Sequence, residues 1–275
     1  MRPAPRAIRA AGPGLAMLLA ITAAAGAETR PRVLGLDASP GSAIYADDSF
    51  YFRSFHSLDG LGGHLGSLLR AGGSLQRFRA APVSIGPARL VWHDPFGYAL
   101  GRPMGTGPEL AGHPLAWRPF DIAILADCGD CPDQPRAIAA YRERTRRDAE
   151  TVRRQGGEPV LFMPWAAPDR PESLARIAEA VTAAANAAGA LVIPAGLAFA
   201  RAEAERPAIE LREDRQHPTN AGTYLAAVVT YAALYGVSPI GNRFTAGLDA
   251  ETAAFLQRVA WETVWDYYAG TRPRE

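Results

Sequence analysis

Lysine is absent from this 275-residue chain, so all 29 basic residues are arginine. Set against 28 acidic residues they leave a formal charge of +1. A balance so near zero excludes a strongly basic nucleic-acid binder and an acidic tail. Cysteine occurs twice, too rarely for a disulfide-rich scaffold or a four-cysteine zinc module. Long apolar runs are also missing outside the first thirty residues, which leaves no further stretch of the roughly 20 apolar residues a spanning helix needs. No Gly-x-Ser-x-Gly pattern occurs, and this speaks against an ordinary α/β-hydrolase nucleophile elbow. Apolar residues nevertheless make up 48% of the chain, enough to build a core and argue against disorder.

The N-terminus has the layout of an export signal. Arg2, Arg6 and Arg9 precede an uncharged apolar stretch from Leu15 to Ala25. Ala25-Gly26-Ala27 then places small residues at both key positions of a cleavage site. Residues 1–27 are expected to be a signal peptide and 28–275 one domain. Cleavage removes three arginines and no acid, so the formal charge falls from +1 to −2. The mature protein is expected in the periplasm or outside the cell, without a transmembrane segment.

From Phe120 onward, strand and helix patterns alternate. Apolar strand runs lie at 120–126, 160–163 and 190–193. Helical patterns lie at 135–155, 171–188, 197–206, 219–235 and 249–268, with Gly156-Gly157 and Gly189 as helix ends. This spacing implies parallel β-α-β units with both faces of the sheet covered. Before it, short strand-like runs lie at 32–37, 43–48, 82–85 and 89–92, and a Gly-containing helical pattern at 58–69. Residues 94–119 read as a long Gly- and Pro-rich surface loop. The aromatic residues Trp261, Trp265 and Tyr268 recur at helical spacing and are expected to form a packing stripe.

Ligands of such sheets bind beyond the carboxyl ends of the strands. After the last strand and helix come Asp214-Arg215-Gln216-His217-Pro218 and then Thr219. An Asp and a His three apart on a loop can face one pocket, the carboxylate holding Nδ1–H while Nε2 faces a nucleophile. The bland alternative is a solvated Asp214, a chance His217 and Thr219 as a helix cap.

Asp-x-x-His-Pro, continued by Gly222-Thr223-Tyr224-Leu225-Ala226-Ala227, resembles the last sequence block of the SGNH (GDSL-type) hydrolases. The likeness is best over 120–236 and extends loosely over 32–268. It implies a three-layer α/β/α sandwich with a mostly parallel, flavodoxin-like sheet. It also implies a Ser nucleophile near the N-terminus served by Asp214 and His217, with a Gly and an Asn completing an oxyanion hole. Ser49, in Ala46-Asp47-Asp48-Ser49, is the first candidate nucleophile and Ser39 the second; both depart from the family's Gly-Asp-Ser. Gly86 is the candidate oxyanion glycine. The family's Asn is missing: Asp127 stands after the strand at 120–126, and the three asparagines of the chain, Asn186, Asn220 and Asn242, follow no strand. An ionised carboxylate repels an oxyanion, so Asp127 is protonated, or a backbone N–H serves, or activity is weak or lost.

His93, in Trp92-His93-Asp94, and Trp165, after a strand end, are candidate substrate contacts, as is Trp117 in the long loop. Cys128 and Cys131 suit a small disulfide beside the site in an oxidising compartment; free thiols and a metal or redox role are the alternatives. The expected function is ester hydrolysis, the substrate a small-molecule ester or an acylated carbohydrate. No metal or organic cofactor, no nucleic-acid partner and a monomeric state are expected. The rival is a ligand- or carbohydrate-binding protein on the same fold with catalysis degraded.

Overall fold

A computed structural model describes residues 42–47, 61–74, 79–84, 121–127, 135–154, 157–214 and 217–268, the segments 42–47 and 79–84 as backbone alone. Among the described residues five strands form one sheet: β1 (Ser42–Asp47), β2 (Arg79–Ser84), β3 (Ile122–Leu125), β4 (Glu158–Phe162) and β5 (Leu191–Ile193). Their order is β2-β1-β3-β4-β5, and every neighbouring pair is parallel. Six helices are described: α1 (Leu61–Ala71), α2 (Pro135–Arg154), α3 (Ser173–Ala188), α4 (Ala195–Glu205), α5 (Asn220–Tyr235) and α6 (Ala250–Tyr267). This is the flavodoxin-like order of a doubly wound sheet.

The strands are short and apolar because both of their faces are covered. Side chains alternate across a strand, and the burial follows that alternation. Ile122, Ile124, Val160, Phe162, Leu191 and Ile193 join a core with α1, α4, α5 and α6. Ala123, Leu125, Leu161, Met163 and Val192 join a second core with α2 and α3. The sheet is the middle of three layers, as the alternating pattern implies.

Element boundaries agree with the sequence reading to within a few residues from β3 onward. Gly189 ends α3 with φ +62°, the left-handed conformation a glycine adopts at little cost. Thr219 caps α5, its side chain accepting from the Gly222 N–H at 3.2 Å, and Asp249 caps α6 through the Thr252 N–H at 2.8 Å. The strand runs expected at 32–37 and 89–92 and the loop at 94–119 lie outside the described residues. The expected packing stripe on α6 is mixed. Tyr268, just past the helix, is fully buried, whereas Trp265 is 38% exposed. No described helix is long and apolar enough to cross a membrane.

Candidate functional site

The strand order reverses direction at β1, and sheets of this kind take ligands at the carboxyl ends of the strands at such a reversal. Register brings three strand ends level there. Asp47 pairs with Ser84, and Ala46 with Leu125. Asp127 follows Leu125 by two residues and is buried at 7% exposure. The candidates Ser49, Gly86 and His93 lie outside the described residues, as do Ser39, Trp117, Cys128 and Cys131.

Asp214 and His217 come together on a hairpin between α4 and α5. Arg212 and Pro218 form its antiparallel bridge. The flanking bonds are Glu213 N–H to the His217 carbonyl at 2.9 Å and Thr219 N–H to the Leu211 carbonyl at 3.0 Å. In this kind of pair the bridging residues do not bond each other, so the missing N–H of Pro218 costs nothing. Within the hairpin one carboxylate holds His217 twice. Asp214 Oδ1 accepts the His217 backbone N–H at 2.8 Å, and Oδ2 lies 2.6 Å from Nδ1. The side chains are 34% exposed for His217 and 55% for Asp214. A pair this exposed contributes about 1 kcal/mol or less to stability; its effect is to orient the ring. With Nδ1 as donor to the carboxylate, Nε2 is the nitrogen that accepts a proton.

The hairpin is fastened to the carboxyl side of the sheet. One Arg212 amino group donates to the Ala166 carbonyl at 2.7 Å, four residues beyond β4. The other pairs with Glu203 on α4. On the far side, α5 presses against the hairpin through Gly222. A Cβ there would lie 2.1 Å from the Leu211 carbonyl oxygen, so only a glycine permits the approach. Sequence reasoning found Gly222 through a resemblance; the close approach supplies the physical reason. It missed Arg212 altogether. The partners of Arg212 lie 9 and 46 residues away in sequence, and no periodicity signals that.

Asp127 has an aromatic neighbour that sequence reasoning also missed. Burial pushes the Tyr141 phenol well above its ordinary range, and the charge of Asp127 adds to the push. Tyr141 therefore stays a neutral phenol beside the strand end. Trp165 is a core residue at 3% exposure, stacked on Phe199 with centroids 4.1 Å apart. Its ring also meets Phe162 edge-on, with centroids 6.3 Å apart.

No family model and no curated protein matches the sequence. Solved structures do. A DUF4886 family protein from Bacteroides uniformis superposes with TM-score 0.64 at 18% identity, covering 84% of this chain and 96% of its own. An acetyl xylan esterase superposes with TM-score 0.53 at 13% identity, covering 70% and 98%. A candidate SGNH hydrolase from Slackia heliotrinireducens superposes with TM-score 0.51 at 21% identity, covering 70% and 97%. The chain has the SGNH-hydrolase fold. At these identities the likeness establishes the fold, and function is argued from the site.

Proposed function

We propose that the protein is an exported serine esterase of the SGNH type, in which Ser49, His217 and Asp214 form the catalytic triad. The observation that carries this reading is the Asp214–His217 couple, tied through Arg212 to the carboxyl side of the sheet. The direction of β1 favours Ser49 as nucleophile. Ser49 follows the carboxyl end of β1 by two residues, whereas Ser39 precedes its amino end by three. Ligands of such sheets bind on that carboxyl side.

In this mechanism Ser49 Oγ attacks the acyl carbonyl carbon while His217 Nε2 takes the hydroxyl proton. Asp214 keeps the ring in the productive tautomer and balances the imidazolium charge. The tetrahedral oxyanion is held by backbone N–H groups at Ser49 and Gly86. The imidazolium then protonates the departing alcohol, and the acyl-enzyme is released by water activated by the same nitrogen. Small acyl groups on carbohydrates are the proposed substrates, with His93 as a substrate contact; the acetyl xylan esterase among the structural neighbours is consistent with that choice. The reading includes a monomeric periplasmic or secreted enzyme without metal or cofactor.

One observation favours a second reading. Asp127, buried just past the end of β3, follows the strand after which the resemblance implies an oxyanion Asn. A protein with the same fold and degraded catalysis would bind an acylated carbohydrate without turning it over.

Hydrolysis of p-nitrophenyl acetate and longer esters separates these readings. The esterase account expects turnover by the wild type and by Ser39→Ala, and none above background by Ser49→Ala or His217→Ala. A folded wild type that binds ligand but releases no nitrophenol contradicts it. Loss confined to Ser39→Ala contradicts the choice of nucleophile.

A further inference from the structure

We propose that Arg212 is a positioning residue for the proposed reaction, a clamp that sets where the His217 imidazole stands relative to the strand ends. The inference rests on the triad reading and goes beyond it by naming the group on which the geometry of the triad depends. Asp214 fixes His217 within the hairpin, but both belong to the same short turn. Arg212 links that turn to the rest of the fold, because it sits at the bridge that closes the hairpin and reaches two separate elements. One amino group meets the Ala166 carbonyl beyond β4 at 2.7 Å, and the other meets Glu203 on α4.

The arrangement suits an arginine and no other side chain. Its planar fork presents donors in two fixed directions, whereas a lysine ammonium is a point charge on a flexible stem. The Arg212 side chain is only 13% exposed, so its bonds are shielded from competing water. Burial pushes the Glu203 carboxyl up, and Arg212 pulls it back. Gly222 holds the other side of the hairpin against α5, its Cα in contact range of the Leu211 carbonyl. The turn is thus gripped from both sides, with Arg212 as the side that faces the sheet. Displacement of a reacting group by about 1 Å costs on the order of 100-fold in rate, so a loosened clamp lowers kcat more than KM.

The test combines kinetics with the NMR signals of the His217 ring in Arg212→Met, Arg212→Lys and the double variant Arg212→Met/Glu203→Met. The double variant leaves no half-buried carboxylate without its partner, and is expected to keep the fold where the single variant fails. Both Arg212→Met and the double variant are expected to lower kcat by about 10- to 100-fold with little change in KM, and to shift the His217 ring resonances. Arg212→Lys is expected to recover only part of the loss. The proposal is overturned if the folded double variant keeps wild-type kcat, or if its His217 resonances match those of the wild type. A wild type that hydrolyses no ester defeats the esterase reading instead, and the clamp is then judged on the His217 resonances alone.

Discussion

A single carboxylate, Asp214, serves both the ring and the backbone N–H of His217, at 2.6 and 2.8 Å. The bond to the backbone N–H holds the carboxylate where its other oxygen meets Nδ1. This couple was legible as a spacing, because Asp and His three apart before a helix-capping Thr is a compact local pattern. Its bland alternative is half right: Thr219 does cap α5, and the cap stands next to the couple without replacing it. Asp127 is the residue at which the account is most exposed. Its carboxylate lies close enough to raise the Tyr141 phenol further, and a negative charge there opposes an oxyanion. Asp127→Asn replaces an acceptor with an amide donor at the same size. It is expected to raise kcat by about 10- to 100-fold, somewhat below what loss of an established oxyanion donor costs. Steady-state hydrolysis of p-nitrophenyl acetate checks this; an unchanged or lower kcat means that Asp127 serves in another way.

At the scale of elements, the sheet edge at β5 is closed by a side chain. The Tyr268 hydroxyl donates to the Val192 carbonyl at 2.6 Å and accepts from the Val192 N–H at 2.9 Å. An open strand edge invites pairing with another chain, and this hydroxyl occupies the two groups a neighbouring strand would use. Tyr268→Phe keeps the ring and strands both backbone groups in a buried place. It is expected to cost about 2–6 kcal/mol, at about 1–3 kcal/mol for each buried group left without a partner. Urea unfolding checks this, and a loss below about 0.5 kcal/mol, ordinary for a surface change, would show that another group takes over the pairing. The sequence stripe of Trp261, Trp265 and Tyr268 indicated a packed helix face. It did not reveal the hydrogen bonds, which join residues 76 apart.

For the whole molecule, the three-layer parallel sheet was legible because buried parallel strands read as continuous apolar runs between helical periods. The run at 122–125 and the alternation of 160–163 across two cores follow directly from it. The site was legible only in part, because its parts converge at a sheet edge from distant segments. Arg212, Glu203 and Ala166 meet there through tertiary folding, and local patterns carry no information about such meetings. The N-terminal segment makes a separate prediction. Expressed in a bacterium with residues 1–27 in place, the protein is expected in the periplasmic or extracellular fraction with Glu28 as its first residue. N-terminal sequencing checks this, and a chain beginning at Met1 in the cytoplasm would contradict it. The most direct test of the central claim is labelling with a fluorophosphonate, which forms a stable adduct only with an activated serine, followed by peptide mapping. The triad account predicts one adduct, on Ser49, that disappears in His217→Ala. An adduct on Ser39, or a folded protein that takes no label, would contradict it.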